Sequence, residues 1–191
     1  MARPRAFDVD RAVDQAMEVF WRQGYGATSL SDLTSALGIG SGSLYAAFGS
    51  KEELYARALA RYTSRNAAEL VAHLESADEV RPALRAALTA MAEADLCDPE
   101  RGCMLVKAAT EGSAPRDAGG PIPTTLRLVE STIAAALERA KVRGELTADK
   151  DPAELARLFT TFIQGLRVMG GAQAGRKFLE SAITAVMRTL D

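Results

Sequence analysis

The 191-residue chain has only two cysteines, Cys97 and Cys103, and a single histidine, His73. Two thiols in a chain of this length call for no disulfide framework. His73 and the two cysteines match no tight metal-ligand spacing, so no metal site and no cofactor are expected, and His73 reads as a solvated residue. With one histidine, no nucleophile–base pairing and no phosphate-binding loop, no catalytic residues stand out and an enzyme is not expected. No run of eighteen apolar residues occurs, so no membrane span and no membrane partner are expected. The opening MARPRAFDVD lacks the apolar stretch of a signal peptide, and with so few cysteines the cytoplasm is the expected compartment. The formal net charge of −2 rules out a global basic field. A nucleic-acid partner must therefore be held by local positive charge.

Strand-like alternation is also missing, and what fills the chain is helical periodicity. Asp8 can cap a first helix with Val9, Val13, Ala16, Met17 and Phe20 on one face, ended by Gly24 and Gly26. Ser29 and Asp32 form a capping pair for a second helix with Leu30, Leu33 and Leu37 inside. Gly38 suits a left-handed helix end, with Ile39 as its hydrophobic contact. A short third helix starts at Ser41, carries Leu44, Tyr45 and Phe48, and stops at Gly49. Ser50-Lys51-Glu52-Glu53 is a capping box for a long fourth helix reaching towards Leu74. Pro82 fits the first turn of a helix to about Leu96, and Asp98-Pro99 opens another that ends near Gly112. SAPRDAGGP, residues 113–121, reads as a loop. Helices from about Pro123 to Arg143, from Asp151-Pro152 to Gly170-Gly171, and through Phe178 to Leu190 complete an all-α chain.

The stretch GSGSLYAAFGSKEEL, residues 40–54, is unusual because its helix is built almost entirely of small residues. Leu33, Leu37, Ile39, Leu44 and Phe48 can hold the second and third helices together as a helix-turn-helix. The outer face is then Ser41, Gly42, Ser43, Tyr45, Ala46 and Ala47. The DNA major groove admits a helix, and small side chains let its backbone approach bases and phosphates closely. Lys51 and the first amides of the fourth helix are expected to clamp one phosphate backbone, with Thr28 and Ser29 on the other. Trp21 and Tyr25 read as packing between the first and fourth helices rather than as base stackers.

Residues 8–55 resemble the DNA-binding domain of the TetR family of bacterial transcriptional regulators. The resemblance is carried by GYGATSL, LTSALGI, SLYAAF and KEEL in order and spacing. It implies an all-helical homodimer with a three-helix operator-binding domain at 1–50 and an effector-binding and dimerisation domain at 51–191. The family's DNA contacts carry over to Thr28, Ser41, Gly42, Ser43, Tyr45 and Lys51. Ser41 stands where many members have lysine, and Ala46 and Ala47 stand where many have histidine and an aromatic. Arg3 and Arg5 are expected to supply the missing charge. The implied function is a ligand-responsive regulator, a repressor, that reads a palindromic operator and leaves it when a small, mainly apolar effector binds and helix four moves.

The effector pocket is expected among Met91, Met104, Leu105, Ala108, Leu126, Phe159 and Phe162, with Val129 and Ile163 nearby. The dimer interface is expected at Leu158, Phe162, Leu166, Leu179, Ile183 and Val186 on the last two helices, whose apolar stripes could equally be core. The alternative trigger is Cys103, since a helix start and the neighbouring Arg101 both favour a thiolate and some members sense oxidants or electrophiles at a cysteine in a similar segment. A protein-binding scaffold is the remaining alternative.

Overall fold

The computed structural model describes residues 7–112 and 120–191. Arg3, Arg5 and most of the expected 113–121 loop lie outside them. Among the described residues the architecture is nine α-helices with a closing 3₁₀ turn and no strand: α1 (Val9–Ala27), α2 (Leu30–Leu37), α3 (Ser41–Phe48), α4 (Lys51–Glu75), α5 (Val80–Cys97), α6 (Met104–Glu111), α7 (Pro121–Val142), α8 (Pro152–Gly171) and α9 (Arg176–Met187). None of these helices is long and apolar enough to cross a membrane.

The local signals act where the sequence puts them. The Asp8 side chain accepts from the amides of Asp10 and Arg11, and Ser29 with Asp32 forms a reciprocal capping box. Ser50 caps α4 through the Glu53 amide, and Asp151 caps α8. Gly38 takes φ 64° at the end of α2, a left-handed conformation that costs glycine little.

Two boundaries differ from expectation. α1 does not end at Gly24: that residue kinks the helix with φ 79°, and one further turn runs to Ala27. Asp98-Pro99 opens no helix. The Asp98 main chain and side chain both accept from the Arg101 amide, Gly102 adopts φ 53°, and α6 begins only at Met104.

Two apolar cores form. One joins α1, α2 and α3 to the first half of α4 and to Met104, Leu105 and Ala108 of α6. The other packs the second half of α4 with α5, α7, α8 and α9. Leu166, Leu179, Ile183 and Val186 lie inside this second core. Their assignment to a dimer interface is corrected: the stripe they form faces their own chain, and only Leu158 of that group is exposed, with Phe162 half-buried.

α5 and α8 approach closely at Gly170, where a Cβ would stand 2.6 Å from Asp95 Cβ. Asp95 is 1% exposed and pairs with Arg167 Nη2 at 3.1 Å, while its Oδ2 has no partner. Burial pushes its carboxyl above the usual range, and the Arg167 charge offsets only part of that. Gly170→Ala should therefore lower stability by ~1–3 kcal/mol, because the clash is with a Cβ rather than a flexible chain end. Gly171→Ala, with nothing within 4 Å, should leave the melting temperature unchanged or higher. Thermal unfolding followed by circular dichroism checks the opposite signs.

Candidate nucleic-acid interface and its anchorage

α3 is held by two side chains. Leu44 and Phe48 are buried against the first core, while Ser41, Gly42, Ser43 and Ala46 are exposed, Ala47 is half-buried and Tyr45 is 49% exposed. A Cβ added at Gly42 would meet nothing within 4 Å, so internal packing does not require glycine there. No side chain caps the start of α3, which leaves its first amides open to an outside acceptor. The outer face is thus free, small and rich in donors.

The flanking residues behave differently from expectation. Thr28 is buried, and its hydroxyl donates to the Gly24 carbonyl at 2.6 Å, so its side chain is not presented to a phosphate. Ser29 is exposed, but its hydroxyl donates to Asp32 and accepts the Asp32 amide. The Ser29 hydroxyl, and then the Ser29 main-chain N–H, both donate to the Asp32 carboxylate and hold it below the usual range. Lys51 Nζ donates to the Tyr25 carbonyl at 2.7 Å and sits 4.3 Å from the Tyr25 ring centre. In this conformation Lys51 ties α4 to the end of α1. Tyr25 in turn donates to Glu52 at 2.7 Å; burial, then that bond, push its phenol up to about 12.

A second set of contacts fixes α6 to α1, and sequence reasoning missed most of it. Trp21 packs edge-on against Tyr62 of α4, and its indole N–H donates to the Gly102 carbonyl at 2.8 Å. Arg101 lies 3.6 Å over the Trp21 ring and makes two bonds to Glu18, at 2.6 and 2.8 Å. Lys107 donates to the Trp21 carbonyl, and Glu111 accepts the Tyr25 amide freed by the Gly24 kink. The alternation of Trp21 and Tyr25 with Glu18 along one helix was the available signal. Their partners lie more than 80 residues away in the chain, beyond any local pattern.

Cys103 is half-buried at the residue preceding α6, and its sulfur accepts from the Tyr62 hydroxyl at 3.6 Å. The cation facing it is Arg167 of α8, not Arg101, which stacks on Trp21. Arg167 stays above its ordinary pKa: burial works against its charge, but Cys103, Tyr62 and Asp95 outweigh burial. Burial first, then Cys103, raise the Tyr62 phenol. Both cysteines are free thiols. Among the described residues no three His, Cys, Asp or Glu side chains are grouped to hold a metal ion.

The expected effector residues do not surround one cavity. Met104, Leu105 and Ala108 fill the first core, with Leu126 packed against it. Phe159 and Ile163 fill the second, with Phe162 and Val129 against it. Only Met91 lines the cavity of about 420 Å³ between α4 and α5. Aromatic and leucine side chains close space; that cavity exists because α5 presents alanines to α4.

A family model for bacterial regulatory proteins of the tetR family matches residues 12–58. The HTH-type transcriptional repressor ComR of Escherichia coli (strain K12) is 36% identical over 172 residues, 87% of this chain and 80% of ComR. The HTH-type transcriptional regulator YezE of Bacillus subtilis (strain 168) is 32% identical over 196 residues, spanning 100% of both chains. Among solved structures, the TetR family regulator CifR, a cysteine mutant complexed with a 26 bp operator, superposes with a TM-score of 0.83 at 34% identity over 100% of each chain. With an open helix-turn-helix in the matched segment and this likeness along nearly its whole length, the chain belongs to the TetR family of bacterial transcriptional regulators.

Proposed function

We propose that this chain is a repressor that binds a palindromic operator as a homodimer and releases it when a small molecule binds among the C-terminal helices. The observation that carries the reading is the outer face of α3, free of internal contacts and uncapped at its start. CifR, similar over its whole length, is complexed with operator DNA. Ser41, Gly42, Ser43 and Tyr45 are the contacts we assign to the groove and its phosphates. At the start of α2 the contact passes from the hydroxyls of Thr28 and Ser29 to the main-chain amides that follow them. Lys51 serves first by fixing the α1–α4 angle and, if it reaches a phosphate, must leave the Tyr25 carbonyl to do so.

The homodimer is assigned to the outer face of α8 and α9. Leu158 is 42% exposed and Phe178 50%, with Val168 and Met169 also exposed and Phe162 half-buried between them. Gly165 lies on the same side of α8 with nothing within 4 Å of its Cβ position, which leaves room for another helix to come close.

A second reading makes Cys103 the trigger. Its support is the thiol's position just before α6, bonded by Tyr62 and facing the half-buried Arg167. Oxidation or alkylation there would add bulk where α4, α6 and α8 meet.

Tyr45→Ala should weaken operator binding about tenfold, ~1.4 kcal/mol, with an unchanged melting temperature. Lys51→Ala should weaken it and also lower the melting temperature; fluorescence anisotropy and thermal unfolding separate the two. Operator affinity equal to wild type in both variants would refute the assignment of this face. Leu158→Glu with Phe178→Glu should give a monomer in sedimentation velocity and lose tight operator binding. If the double variant stays dimeric, the interface lies elsewhere. Hydrogen peroxide or N-ethylmaleimide should release DNA from wild type and not from Cys103→Ser; equal release from both would remove the thiol reading.

A further inference from the structure

We propose that the cavity between α4 and α5 is a binding site for an ammonium group carried on an aryl or alkyl body. This names the ligand class for the effector reading above and depends on that reading only for its consequence at DNA. The cavity measures about 420 Å³. Its walls are apolar: Leu70 of α4 faces Ala87, Ala90 and Met91 of α5, and alanine at successive turns of α5 leaves the space unfilled. That volume and lining suit a compact apolar body, since ligand pockets typically fall between about 300 and 1,000 Å³.

The polar groups on the lining decide the charge of the ligand. The donors are partly engaged. Arg167 gives Nη1 to the Met91 carbonyl at 3.0 Å and Nη2 to Asp95 at 3.1 Å. Asn66 Nδ2 donates to the Tyr62 carbonyl at 2.8 Å, and His73 Nε2 is 2.9 Å from the Ala83 carbonyl. Acceptor capacity stands wholly open beside them. The Glu69 carboxylate has no hydrogen-bond or ion-pair partner among the described residues, and Asn66 keeps its amide oxygen. An anion entering here would meet the exposed Glu69 carboxylate, while Arg167, the one arginine or lysine on the lining, already has its charge paired with Asp95. An ammonium group finds a carboxylate and an amide oxygen, and the positive charge of Arg167 is countered by Asp95 behind it. The ligand would wedge against Asn66, Glu69 and Leu70, three residues of the helix that runs on from the DNA-reading domain.

Isothermal titration calorimetry on the full chain with 4-phenylbutylamine, and with 4-phenylbutyrate and 4-phenyl-1-butanol as the anionic and neutral counterparts, tests the site. The amine should bind, the alcohol more weakly and the acid not measurably. Glu69→Gln should lower amine affinity at least tenfold. Ala90→Leu, which fills the cavity from an otherwise exposed position, should abolish it, with circular dichroism confirming the fold of both variants. Absence of amine binding at millimolar concentration, equal binding of the acid, or full amine affinity in Glu69→Gln overturns the proposal. Operator anisotropy separates it from the effector reading. Amine that binds and needs Glu69 but leaves operator affinity unchanged upholds this site and removes the effector role. Amine-driven release that survives in Ala90→Leu keeps an effector role and overturns this site.

Discussion

The indole N–H of Trp21 and the Gly102 carbonyl, 2.8 Å apart, join the DNA-reading half of the molecule to the helix that leaves the C-terminal half. Around that bond, Arg101 covers the ring and Glu18 holds Arg101 in place. The consequence is that α6, although late in the chain, belongs to the apolar core of the first three helices through Met104, Leu105 and Ala108. α4 shares both cores, with Tyr55 and Leu59 in one and Leu70 and Leu74 in the other. α7 also reaches both, through Leu126 against the first core and Leu137 within the second, so the two cores share a continuous helical frame.

α3 is a helix whose affinity for its own protein rests on two residues, Leu44 and Phe48. Everything else on it is small or points outward. Such a helix gains little by packing further, because each additional buried alanine contributes only a fraction of what a leucine does. The weak charge of the chain fits this economy of contact. With a net charge of −2, attraction to DNA must come from a few placed donors and helix-end amides rather than from a basic surface.

Most of the fold was legible in the sequence because most of its punctuation is local. Asp8, Ser29, Gly38, Ser50 and Asp151 each act within three or four residues of themselves, and each does so here. Asp98 failed as a helix start because Gly102 and its distant partner Trp21 decide that turn. The outer face of α3 was also legible, since small residues cannot hide a helix. The apolar stripes on α8 and α9 were visible, but both helices are apolar on more than one side. Periodicity cannot say whether Leu166 or Leu158 meets the parent chain; only packing against α5 and α7 does. The cavity was invisible for a different reason. It is made by side chains that stop at Cβ, and alanine in a helix looks like ordinary helix-forming sequence. Lys51 and Thr28 read as free donors because their acceptors, the carbonyls of Tyr25 and Gly24, are exposed only by a kink.

That kink at Gly24 divides α1 into a long rod and a final turn that leads into α2. The groups it uncovers are taken up by three partners: the Gly24 carbonyl by Thr28 at the end of α1 itself, the Tyr25 carbonyl by Lys51 of α4, and the Tyr25 amide by Glu111 at the far end of α6. A displacement of either long-range partner by about one hydrogen-bond length leaves a main-chain group without its mate at the pivot of the reading head. The break in the first helix is thus held by two long-range tethers, one from α4 and one from α6, at the point where the chain enters the α2–α3 pair.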